Sequence, residues 1–245
     1  MRFTIWLLLI LLLVGCSGAE KSGENVESHY MLAVSYLQSG DPTMALKEFL
    51  LAEQLDEDDA RVQNGLGQAY FYKRAYLESE RHYLRALKLD QGNPQYQNNL
   101  AASYLEDGRP DDAIRYFKMA ASNLLFARAE VAWTGVGAAY MQKGEYAEAL
   151  EAFEAALVMN RRYAPGYVYR GDVFYALGKS DKAVADYRQA LVFFPDFAQA
   201  YFKLGVAQMK LRATKDALNS FSRVVALVPD SDIGRQAANY VKVLK

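Results

Sequence analysis

The sequence predicts an all-α protein, a solenoid of helical hairpins stacked side by side. Three observations carry that prediction. Aromatic residues recur every 34 positions at Tyr36, Tyr70 and Tyr104, and again from Tyr140 to Phe174. A second series, Phe49, Tyr83, Phe117, Phe153, Tyr187 and Phe221, keeps the same beat apart from one lengthened interval. Three residues after each member stands a small or β-branched side chain: Ala52, Ala86, Ala120, Ala156, Ala190 or Val224. Such a period marks units that cannot bury their apolar faces alone, so they stack and present an extended surface to other proteins.

Residues 1–15 read as a sorting signal. Arg2 gives the positive start, and Ile5 to Val14 is an unbroken apolar run. A bilayer span needs about 20 apolar residues, so a cleaved secretory signal fits better than a transmembrane helix. The boundary Leu13-Val14-Gly15-Cys16 resembles the lipobox of bacterial lipoproteins. The resemblance implies cleavage before Cys16, the single cysteine of the chain, and lipid on its sulfur and its new amino group. The other reading is an ordinary secreted protein whose cysteine happens to lie near the cut. In the lipoprotein family an Asp after the cysteine is the inner-membrane retention signal; Ser17 stands there instead, which implies the outer membrane.

Residues 16–25 carry the cysteine and then a small, polar, aperiodic stretch expected to be a flexible tether. Six repeats follow at 26–59, 60–93, 94–127, 130–163, 164–197 and 198–231, each with two amphipathic stretches around a turn. Ser39-Gly40-Asp41-Pro42, Asp107-Gly108-Arg109-Pro110, Lys143-Gly144 and Gly178-Lys179-Ser180 mark turns. Residues 232–245 form a capping helix, with Asp232 as its expected N-cap. Ile233, Ala237, Val241 and Leu244 share one face, leaving Arg235, Lys242 and Lys245 towards water.

The repeats resemble the tetratricopeptide repeat, whose signature is W-x2-L-G-x2-Y, then A-x3-F, then P. Trp133, Val136, Gly137, Tyr140, Ala149 and Phe153 follow it in the fourth unit. Tyr201, Leu204, Gly205, Ala217, Phe221 and Pro229 do so in the sixth. The resemblance implies a right-handed superhelical solenoid of six such repeats. Gly67, Gly137, Gly171 and Gly205, with Ala33 and Ala101 in the same place, are expected to let paired helices approach closely.

In that family the fifth, ninth and twelfth residues of each unit point into a concave face. The twelfth positions here are Leu37, Phe71, Leu105, Met141, Tyr175 and Met209, all apolar. Tyr30, Val34, Val168 and Phe202 continue the lining, interrupted by Asn64, Asn98, Thr134 and Asp172. Such a groove suits an amphipathic helix or apolar peptide. The alternative is that these side chains only pack against the neighbouring helix.

No chemistry competes with binding. Once the signal is removed, 27 basic residues face 29 acidic ones, which excludes a nucleic-acid surface. His29 and His82 lie in different repeats, out of metal-ligand spacing. The run Asp56-Glu57-Asp58-Asp59 lacks the glycine and terminal glutamate of a calcium loop. It lies where acids meet the positive end of the next helix. No phosphate loop or nucleophile elbow occurs, so neither an enzyme nor a cofactor is expected.

A signal and lipobox, six repeats, and two extra residues between the third and fourth together resemble the type IV pilus biogenesis and stability lipoproteins, the pilotins of PilF/PilW type. That resemblance implies a lipid-anchored outer-membrane protein, facing the periplasm, that binds the pilus secretin and aids its localisation and oligomerisation. The rival expectation is a lipoprotein scaffold for envelope enzymes or the outer-membrane barrel-assembly machinery.

Overall fold

The computed structural model describes residues 19–245, with side chains from residue 25. The signal and Cys16 lie outside the described residues. Those residues form thirteen helices and no strand, divided into two compact units at Asp107/Gly108.

The first unit holds α1 (Ala19–Gln38), α2 (Pro42–Leu55), α3 (Ala60–Tyr72), α4 (Tyr76–Leu89) and α5 (Pro94–Glu106). α1 packs on α2 and α3 on α4 as hairpins, while α2 meets α3 and α4 meets α5. The second unit holds α6 (Pro110–Ala121), α7 (Ala129–Lys143), α8 (Tyr146–Met159), α9 (Ala164–Ala176), α10 (Ser180–Phe193), α11 (Ala198–Lys210), α12 (Thr214–Leu227) and α13 (Asp232–Leu244). Each of these packs on the next. The boundary between units falls in the turn of the third expected repeat. The all-helical stack is the one the period predicts.

Two local expectations need correction. α1 begins at Ala19, so residues 19–25 continue the helix instead of forming a tether. Alanine, glutamate and lysine favour helix there, and no proline stops it. The N-cap of α13 is Ser231, whose Oγ accepts the Gly234 amide at 3.0 Å. Asp232 lies inside the helix and pairs with Arg235 one turn on. A serine with extended backbone meets the cap geometry, and the Asp232 carboxylate in the first turn complements the positive end of the helix dipole.

Other caps explain why the helices start where they do. Asp41 accepts the Thr43 and Met44 amides ahead of Pro42, and Asn93 accepts those of Gln95 and Tyr96 ahead of Pro94. Asp59, last of the acidic run, accepts the Arg61 and Val62 amides and caps α3. Glu57 and Asp58 pair with Arg85.

The cores are built on the second aromatic series. Phe49, Tyr83, Phe117, Phe153, Tyr187 and Phe221 are all buried. A Cβ added at Gly67 would lie 2.6 Å from the Tyr83 ring, and one at Gly137 would lie 2.5 Å from Phe153. The glycine therefore opens the space that its own hairpin's aromatic fills. Gly65 and Gly135 do the same for the preceding helix: a Cβ there would meet Phe49 of α2 at 2.3 Å and Phe117 of α6 at 2.5 Å. Paired glycines two apart thus bring one helix close to an aromatic on either side.

Candidate protein-binding face

On the first unit, Tyr30, Val34 and Leu37 of α1, Phe71 of α3 and Leu105 of α5 are all half-buried. Tyr30, Val34 and Leu37 lean on a core containing Val26, Ala33, Phe49, Val62 and Leu66. The Tyr30 ring lies 5.9 Å from Phe49, and Phe71 lies 6.2 Å from Tyr76. Tyr30, Val34 and Leu37 are thus seated on the core, and all five side chains keep part of their surface in water.

One end of this face carries a cation. The Arg61 guanidinium lies 5.0 Å above the Tyr30 ring and is held by Asp59 at 2.7 Å and Glu27 at 3.0 Å. Burial raises the Tyr30 phenol pKa, partly offset by Arg61, so the ring stays neutral. Asn64, one turn beyond Arg61, accepts a hydrogen bond from Asn99 at 2.9 Å. The Arg61 guanidinium is thus already paired with two carboxylates.

Polar bridges cross inside the hairpins, and sequence reading did not find them. His29 meets Glu48 at 2.7 Å, and His82 meets Gln63 at 2.8 Å; both pairs are 19 residues apart. Gln63 in turn donates to Glu53, and Tyr70 stacks on the His82 ring at 5.3 Å. Burial holds the His82 imidazole below its ordinary 6.5, against the pull of Glu53. The repeated separation of 19 was the available signal. Both histidines serve these bridges, and among the described residues no group of His, Cys, Asp and Glu could hold a metal.

On the second unit the expected lining residues fare unequally. Met141 is half-buried beside Tyr140, Tyr146 and Leu150, and Tyr175 lies under the Lys210 ammonium at 4.7 Å. Phe202 contacts Phe221 and Tyr240, so the capping helix covers part of it. Met209 is the most open, at 36%. Val168 is not on the face at all: it is buried with Val184, Tyr187 and Leu204. Thr134 is likewise buried, its hydroxyl donating to the Glu130 carbonyl at 2.8 Å. Asp172 is held by Tyr187 and Lys203.

Profiles of the tetratricopeptide repeat match residues 30–94, 82–115, 131–163, 171–211 and 199–231. The chain belongs to the tetratricopeptide repeat family. Among its relatives, the type IV pilus assembly protein PilF of Pseudomonas aeruginosa is 24% identical over 180 residues, covering 69% of this chain and 71% of PilF. Superkiller complex protein 3 of Mus musculus is 23% identical over 219 residues, but the chain spans 14% of that protein's length. In solved structures, Pseudomonas aeruginosa PilF superposes with a TM-score of 0.71 at 19% identity, covering 89% of this chain and 99% of PilF. PilW, a type IV pilus biogenesis factor, gives 0.76 at 15% identity, covering 87% and 98%. These likenesses establish the fold. Tetratricopeptide proteins are in general scaffolds for protein interaction, and the apolar, partly exposed first helices of this chain have that character.

Proposed function

We propose that this chain is an outer-membrane lipoprotein, anchored through Cys16 and facing the periplasm, that assists assembly of the type IV pilus secretin. Its partner is an amphipathic or apolar segment of the secretin monomer, held on the first-helix face of the first unit. One observation carries the reading. The fold follows two type IV pilus factors over nearly their whole lengths, whereas matches to larger scaffolds take in a small part of them. The half-exposed ladder Tyr30, Val34, Leu37, Phe71 and Leu105 supports the choice of face.

Replacing Phe71 and Leu105 with glutamate places two charges where an apolar segment would lie. Co-purification with the secretin falls to background while helicity is unchanged. Undiminished co-purification from a folded variant refutes the face as the docking site. Loss of pilus-dependent motility in a deletion strain, with normal barrel insertion, favours this reading over the barrel-assembly scaffold.

A further inference from the structure

The join between the third and fourth repeats holds a feature that the proposed docking face leaves unused. In the loop between α6 and α7, Leu124 is 101% and Leu125 90% exposed. They are not on a loose strand. The Leu125 amide donates to Asn123 Oδ1 at 2.9 Å, and the Phe126 amide donates to the Asn123 carbonyl at 3.0 Å. A tight turn therefore holds two leucines out in water, which is unfavourable unless something covers them.

The same edge of the second unit repeats the pattern. Val158 and Met159 end α8, Val192 lies in the last turn of α10 and Phe194 caps it, and all four are more than half exposed. The ends of α8 and α10 are joined through α9: the Tyr167 hydroxyl donates to the Arg161 carbonyl, and the Tyr167 ring lies 5.7 Å from Phe193. Tyr163, after α8, lies within the field of both Glu130 and Arg128 at the start of α7. Arg128, Arg161 and Arg162 are exposed among these tips. Of the nearby carboxylates, Asp196 is held by Arg223, and Glu130 is half-buried. Apolar tips set between cations match a lipid surface, where acyl chains take the first and headgroup phosphates the second.

We propose that this edge of the second unit inserts shallowly into a bilayer bearing anionic headgroups, with Leu124 and Leu125 as the deepest residues. Insertion fixes how the second unit meets the membrane, which attachment at a single N-terminal residue would not do.

The test uses the protein purified from cells, carrying Leu125→Cys labelled with a polarity-sensitive fluorophore. Val243→Cys, at the far end of α13 and 80% exposed, is the control. Vesicles are phosphatidylethanolamine with phosphatidylglycerol, or phosphatidylcholine alone, and contain bilayer-depth quenchers. At position 125 quenching on the anionic vesicles exceeds that at 243 by about threefold. It falls by roughly half on phosphatidylcholine, or when Arg161→Ser and Arg162→Ser are added. A label that stays in water on vesicles overturns the proposal. So does shielding that depends on protein density but not on lipid, which assigns the edge to a second copy of the chain. Leu124→Cys repeats the measurement should the label at 125 disturb the turn. None of these outcomes depends on secretin binding, so failure here leaves the docking face untouched.

Discussion

Replacing Gly65 with alanine tests whether neighbouring hairpins are as closely set as the structure requires. The added Cβ would lie 2.3 Å from Phe49 Cε1, 2.4 Å from Cζ and 2.9 Å from Cδ1. Carbon atoms prefer about 3.5 to 4.0 Å, so the ring must retreat by about 1 Å or more. Phe49 is fully buried and the Tyr30 ring stands 5.9 Å from it, so little room exists. Overpacking of this severity costs up to about 3 kcal/mol, and the better helix propensity of alanine returns about 1. The net loss is therefore about 2 kcal/mol. Urea unfolding followed by far-ultraviolet circular dichroism reads it as a lowered midpoint with unchanged slope. Adding Phe49→Leu to Gly65→Ala should relieve the clash, giving a coupling of about 1 kcal/mol in the double-mutant cycle. An unchanged or raised midpoint for Gly65→Ala, or simple additivity in the cycle, would show that the ring does not occupy that space.

Two further outcomes follow from single residues. Folded His82 has a lowered pKa, so the unfolded chain binds its proton more readily; stability is complete above about 6.5 and declines as pH falls below it. His82→Gln should flatten that decline in a series of denaturant midpoints, and an unaltered pH profile would remove His82 as its cause. Arg74 sits at φ 59, a left-handed conformation that is unfavourable for a side chain bearing Cβ. Arg74→Gly should raise stability by about 0.5 to 1 kcal/mol, and a fall in melting temperature would contradict the strain.

The fold was legible because the repeat displays its packing. The second aromatic series became the buried one, with the small residues three positions on, whereas Tyr36, Tyr70, Tyr140 and Phe174 of the first series are half-buried. What stayed hidden lies where different residue types meet one geometric demand. The turn residues Gly40, Gly108, Gly144 and Gly178 all have positive φ, but Arg74 and Arg212 fill the same place in their repeats without any turn chemistry to announce it. The His29–Glu48 and Gln63–His82 bridges share a spacing but not residue types, so no motif results. Gly65 and Gly135 were invisible for another reason: their partners, Phe49 and Phe117, belong to the preceding repeat in sequence. At the candidate face, Val168 misled because an apolar residue at a lining position reads the same whether Leu204 and Tyr187 cover it or water does.

The opposition between a binding groove and mere packing also softens once the side chains are in place. Tyr30 leans on Phe49, and Phe202 leans on Phe221. A side chain seated in this way has already lost most of its rotamer freedom in the free protein. Association then does not have to order it again, which saves about 0.5 to 1.5 kcal/mol for each such residue. The core that stabilises a hairpin therefore also prepares its outer face for a partner. The first-unit face and the α6–α7 loop differ in how that preparation is made. Buried rings support Tyr30 on the first-unit face, whereas the turn that carries Leu124 and Leu125 is held by hydrogen bonds from the Leu125 and Phe126 amides to Asn123. A ligand with a defined shape suits the former, and a fluid one such as lipid suits the latter.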